Sequence, residues 1–125
     1  MSNRLEDLEI YILSEQFADE IWFIVIEWEY FAKDTLGKQL ARSADSIGAN
    51  IAEGFGRYHY KENKNFCYFS RGSLLETKSW LKKAKTRNLI TADCFQDLLQ
   101  KLEIIHIKLN AYIKFIGKLS NQSDQ

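Results

Sequence analysis

The sequence contains no proline. An average chain of this length would carry roughly six, so the commonest helix breaker is missing and long helices are favoured. Cysteine is scarce as well. Cys67 and Cys94 stand far apart and outside any CxxC pattern, so no disulfide framework is encoded and both read as free thiols. The longest apolar run, Ile21 to Ile26, falls well short of the ~20 residues that span a bilayer. Met1 to Asp7 lack the basic-then-apolar pattern of a secretory signal. The expectation is a cytoplasmic protein with no membrane partner. Net charge is absent too: 17 Lys and Arg balance 17 Asp and Glu, which argues against a general nucleic-acid binder.

What is present is apolar and aromatic. Hydrophobic residues make up 46% of the 125 and aromatics 14%, enough for one domain with a genuine core and too few residues for two. The charge, though balanced, is unevenly placed. From Met1 to Ala32, Arg4 alone stands against eight carboxylates, whereas Tyr58 to Asn88 carry eight basic residues and two acidic ones. One end of the chain is acidic and its third quarter basic.

Periodicity and punctuation divide the chain into four helices. Asn3 with Glu6 makes a capping-box start for the first, which should run to about Trp28. Its second half is apolar nearly all round, and such a helix needs neighbours beyond one core face. Asp34 or Thr35 begins the second helix, which ends near Gly54-Phe55-Gly56, where glycine permits left-handed geometry. The third spans roughly Tyr60 to Arg87, with Asn88 as its stop. Thr91 caps the fourth, in which Leu98, Leu102, Ile105, Leu109, Tyr112, Ile116 and Leu119 repeat at steps of four and three, the seam of a helix bundle. Short connections favour an up-down-up-down arrangement. The expected fold is an all-α, left-handed four-helix bundle over residues 1–119, with a loose polar tail over 120–125.

Three groups of residues carry the functional reading. A polar strip borders the core of helix 2 at Ser46, Asn50, Glu53 and Arg57, and helix 3 answers with Ser70, Ser73 and Thr77, flanked by Arg71 and Glu76. Polar groups so placed need partners, and a structural network that fixes register is the favoured explanation over a ligand site. Arg71, Lys78, Lys82 and Lys85 form a basic ridge on helix 3. It either meets phosphates or sits beside acidic helix 1 of the same or a neighbouring subunit. Finally, Ile21, Ile24 and Trp28 of helix 1, with the small residues Ala41, Gly48 and Ala52 of helix 2, are candidates for a subunit interface.

Catalytic and metal chemistry find little footing. Glu103 and His106 form a single ExxH, where di-iron bundles need two with further glutamates, and neither residue points along the seam. His59 has no partner for a hydrolytic triad. Gly54-Phe55-Gly56 is too short for a phosphate loop. Tyr58, His59 and Tyr60 are more in keeping with covering the bundle end than with stacking on bases. No enzyme activity, cofactor, metal or small-molecule substrate is expected.

The stretch SIGANIAEGFGR (Ser46 to Arg57), followed by RGSLLETKSWL (Arg71 to Leu81), resembles the bacterial four-helix-bundle proteins called 23S rRNA intervening-sequence proteins. The resemblance implies a left-handed bundle that assembles into a ring-shaped homopentamer, with no established enzymatic activity. It also implies kinship with the accessory protein of diversity-generating retroelements, which binds nucleic acid and reverse transcriptase through a basic surface. The neutral charge of this chain departs from those basic relatives. The function expected is therefore a homo-oligomeric, non-enzymatic interaction or scaffold protein. The alternative is a nucleic-acid-associated accessory protein using the helix 3 ridge.

Overall fold

Four amphipathic segments close around a single apolar core in a computed structural model that describes residues 3–123, excepting the side chains of 122 and 123. Helix α1 spans Glu9–Val25. It is preceded by a 3-10 turn at Leu5–Asp7, so the capping box at Asn3 does not form; Glu6 engages Arg4 Nε at 3.4 Å instead. The helix ends three residues earlier than the apolar pattern suggests, because Ile26 to Glu29 make the turn into the next helix.

Helix α2 begins at Tyr30, ahead of the expected start at Asp34 or Thr35. Glu29 is its cap, with carboxylate oxygens accepting from Phe31 N at 2.9 Å and Ala32 N at 2.8 Å. These bonds satisfy backbone donors that every helix start leaves open. The helix runs through Tyr30–Ala32, a π turn at Lys33–Gly37 and a long segment Lys38–Phe55. Asp34 lies inside the π turn, paired with Lys38 at 2.8 Å. Gly37 lets this turn approach α1, since a Cβ there would come within 2.8 Å of Val25 Cγ1.

The other end of α2 corrects the expected role of glycine. Gly56 keeps right-handed geometry (φ −79°, ψ −2°). Gly54 matters for proximity, because its Cβ would lie 2.9 Å from both the Asn63 carbonyl oxygen and Phe66 Cβ. Helix α3 spans Tyr60–Thr86 and stops as anticipated at Asn88, whose φ of 59° places it in the left-handed region that Asn tolerates. Leu89 N then bonds the Ala84 carbonyl at 2.9 Å, closing a Schellman motif. Thr91 Oγ1 accepts from Cys94 N at 3.0 Å and opens α4, Ala92–Ser123.

Helix α4 therefore continues past Ser120 into the segment expected to be loose. Nothing between Ser120 and Ser123 breaks a helix, and Asp124 and Gln125 lie outside the described residues. Its seam is real: Leu98, Leu102, Ile105, Leu109 and Ile116 are buried, with Tyr112 and Leu119 half-buried. They meet Leu40, Ala44, Ile47 and Ile51 of α2 and Leu74 and Leu81 of α3. Each helix packs on its two neighbours in the order α1, α2, α3, α4 and back to α1. This is an up-down-up-down four-helix bundle in which α1 and α3 occupy opposite corners.

Candidate interaction surfaces

The seam between α2 and α3 is the most extensive helix contact, and hydroxyls line it. Ser70 Oγ donates to the Ile47 carbonyl at 2.7 Å. Ser73 Oγ lies 2.9 Å from Ser46 Oγ, which also accepts from Asn50 Nδ2 at 2.9 Å. Thr77 Oγ1 lies 2.8 Å from both Ser43 Oγ and the Ser73 carbonyl. Of the polar set read from sequence, Ser46, Asn50, Ser70, Ser73 and Thr77 join this seam. Ser43, absent from that set, is its buried anchor; a serine amid an apolar stripe gives little signal until its partner Thr77 is known.

The remaining four polar residues go elsewhere. Glu53 and Arg57 form an exposed pair at 2.6 Å, with the guanidinium 4.8 Å from the Phe66 ring. Arg71 turns to α4, donating to Asn110 Oδ1 at 2.8 Å. Glu76 sits on the surface within 3.4 Å of Trp80 Nε1. These contacts are structural in kind and place no nucleophile beside a base.

The basic ridge keeps Lys82 and Lys85 exposed and Lys78 half-buried. Lys85 Nζ lies 4.9 Å from the Phe95 ring. None of the three lysines has a carboxylate partner among the described residues. The acids of α1 pair with α4 instead: Glu20 with Lys101 at 2.9 Å and Glu9 with Lys108. Opposite corners of the bundle separate the ridge from the acidic helix of its own chain. Within one chain, the charge-pairing explanation of the ridge is ruled out.

Three of the six interface candidates are buried within the chain itself. Ile21 is fully buried, Trp28 is buried and Ile24 packs half-buried on the same core. Ala41 and Ala52 are half-buried, and Gly48 lies beneath the Glu15 side chain of α1, where a Cβ would overlap Glu15 Oε1. Ile21, Trp28 and Gly48 are covered because α1 itself lies across α2, whereas Ile24, Ala41 and Ala52 keep part of their surface. The apolar side chains left exposed are their neighbours: Trp22 at 50%, Phe23 at 65%, Ile26, Tyr30 and, at 72%, Phe31. The turn after Val25, where the apolar pattern predicts continued helix, decides which of these side chains stay exposed.

Beside that exposed group, Glu15 and Asp19 of α1 stand near Asp45 of α2, and no cation pairs with any of them among the described residues. Burial, then repulsion from Asp19 and Asp45, raises the Glu15 carboxyl above its ordinary value; burial and Asp19 raise Asp45 likewise.

Sites for chemistry are sparse. Burial pushes the Cys67 thiol up to about 11, far from a reactive thiolate. Among the described residues no three His, Cys, Asp or Glu side chains gather as a metal site, and Glu103 is exposed. A groove between α1 and α4, lined by Leu13, Phe17, Ile104 and Ile105, has a volume of about 210 Å³. Tyr58 is 93% exposed and stacks edge-on to His59 at 4.9 Å, so this loop does not cover the bundle end as expected. Among the described residues no helix is long and apolar enough to cross a membrane.

Comparison with known proteins fits this geometry. A family model described as 23S rRNA-intervening sequence protein matches residues 6–111. The chain is also similar to a solved structure from Bacteroides thetaiotaomicron VPI-5482, a protein with unknown function from the S23 ribosomal protein family. The two are 28% identical with a TM-score of 0.75, over 84% of this chain and 98% of that one. Among curated proteins none matches.

Proposed function

The chain belongs to the 23S rRNA-intervening sequence protein family, and on that premise we propose that it is a non-enzymatic, self-assembling interaction or scaffold protein. The assembly is the homopentamer that its sequence resemblance implies, and the compartment is the cytoplasm, where Cys67 and Cys94 stay reduced. One observation carries this reading: the exposed cluster of Trp22, Phe23, Ile26, Tyr30 and Phe31 where α1 turns into α2. Exposed apolar patches of this kind mark contact surfaces, while the side chains that would make a catalytic constellation are dispersed. Native mass spectrometry tests it directly. The expected result is a five-chain particle, and a monomer at micromolar concentration would sink the reading.

A second reading is favoured by the unpaired lysines of α3. Arg71, Lys78, Lys82 and Lys85 would contact phosphates in a nucleic-acid-associated accessory role, with affinity falling steeply as salt rises. The eight carboxylates before Ala32 oppose such binding, which ranks it second. Fluorescence anisotropy with structured RNA and with single- and double-stranded DNA decides. Sub-micromolar affinity at about 0.15 M salt, lost when Lys78, Lys82 and Lys85 become glutamine, would promote it to first.

A further inference from the structure

Two outward faces of the bundle carry the same spacing of residues and opposite character. Along α1 and into the turn that follows it, Ile12, Gln16, Asp19, Phe23 and Ile26 succeed one another at steps of four, three, four and three, and all five are exposed. On α3, Tyr68, Gly72, Leu75, Ser79 and Lys82 repeat the same steps and are also exposed. That spacing draws a continuous stripe along a helix and suits it to pack against another helix. Neither stripe faces the chain's own core. Both helices already bury a different face, so these are second seams without an occupant.

Gly72 makes the point most sharply. A Cβ at this position would meet nothing within 4 Å, so no contact inside the chain requires glycine. Glycine is among the poorest residues for the middle of a helix. A neighbouring helix that comes close across Leu75, itself 51% exposed, would account for the notch.

Charge then selects the occupant. On or beside the α1 stripe stand Glu15, Asp19 and Asp45, which repel one another and pair with no cation among the described residues. On or beside the α3 stripe stand Lys78, Lys82 and Lys83, which pair with no carboxylate among the described residues. Because α1 and α3 occupy opposite corners, every copy presents both halves of the match, and neither half can reach the other within one chain.

We infer that the α1 stripe of one copy docks on the α3 stripe of a second copy, so that the protein assembles head to tail. This rests on the self-association reading and specifies its contact. A heterologous contact leaves one stripe of each kind free at the ends of any open chain of copies, and it is satisfied throughout only when a ring closes or a filament grows.

The experiment uses two single variants and their mixture. Phe23→Glu blocks the α1 stripe and leaves the α3 stripe intact, whereas Leu75→Glu does the reverse. Both side chains are exposed, and circular dichroism should show unchanged helix content. If either variant loses helix, Phe23→Ser and Leu75→Ser take their place. Analytical ultracentrifugation should find the wild type assembled and each variant monomeric. An equimolar mixture at roughly 100 μM, since one contact is weaker than a closed ring, should form dimers that grow no further, because only one competent pair of stripes remains. Assembly unaffected by either variant, or a mixture that yields no dimer, would overturn the head-to-tail contact while leaving self-association standing. A monomeric wild type would overturn self-association itself.

Discussion

The seam between α2 and α3 and the flank formed by α1 bury polar groups under opposite terms. In the seam every buried hydroxyl has a partner: Ser70 on a carbonyl of α2, Thr77 on Ser43, Ser73 on Ser46. These bonds cross from helix to helix, so they hold only in one register. On the other side, α1 contributes Ser14, fully buried, with an Oγ that has no hydrogen-bond partner among the described residues. Its links to α4 are lysine–carboxylate pairs at the surface, which are weak individually and screened by salt. Its Glu15 and Asp19 also repel each other and Asp45 of α2. The contrast teaches that α2 and α3 are matched to each other, while α1 carries features that its own chain leaves unsatisfied. The acids among these features are the ones that the proposed docking of a second copy would use.

Removing a hydroxyl from each side sharpens the comparison. Thr77→Val keeps shape and deletes the oxygen that lies within 2.8 Å of Ser43 and Ser73. It should cost about 1–2 kcal/mol through the partners left behind, seen as a lower midpoint in urea melts. Ser14→Ala deletes an oxygen that has no partner, so the same kind of change should leave stability unchanged or raise it by up to about 1 kcal/mol. Equal losses in the two variants would erase the distinction between seam and flank.

The smallest effect concerns the acids. Glu15 and Asp45 titrate above their ordinary values in the folded chain. Their charged forms are thus disfavoured by folding, and the penalty is present at neutral pH. It fades as pH falls through the raised folded values towards the unfolded ones, so these two groups make the fold more stable as acid is added. Glu15→Gln should therefore stabilise the chain at pH 7 by less than about 1 kcal/mol, solvent screening keeping it small. The gain should shrink towards pH 4. Measurement in the Leu75→Glu background keeps assembly out of the result. A gain that grows on acidification would contradict the repulsion.

Much of this was legible in the residues alone. The α4 seam, the stop at Asn88 and the cap at Thr91 are local signals, each contained within a turn or a heptad, and they appear where the pattern put them. The misreadings needed distant partners. Gly54 reads as a terminator until Asn63, across the next turn, proves to lie against it. Ser43 reads as a stray polar residue until Thr77 meets it. The error at α1 spread furthest: Glu29 is an uncommon cap, so the turn at Ile26 to Glu29 passed for helix. Trp28 and Ile21 then looked like surface, when the exposed rings are Trp22 and Phe23 beside them.

The π turn at Lys33–Gly37 sets the rotation of everything ahead of it. Such a turn winds one residue more than its α counterpart, and each residue of an α-helix advances the chain by about 100°. The first turn of α2 is therefore geared to the remainder of the helix with an offset of one residue. With that offset Ala32 faces the core while Tyr30 and Phe31 point outward. Deleting one residue between Lys33 and Thr35 would hardly shorten the helix. It would rotate the Glu29 cap and both rings by about 100° around the axis, swinging Ala32 off the core and changing which side of the corner presents its aromatic surface.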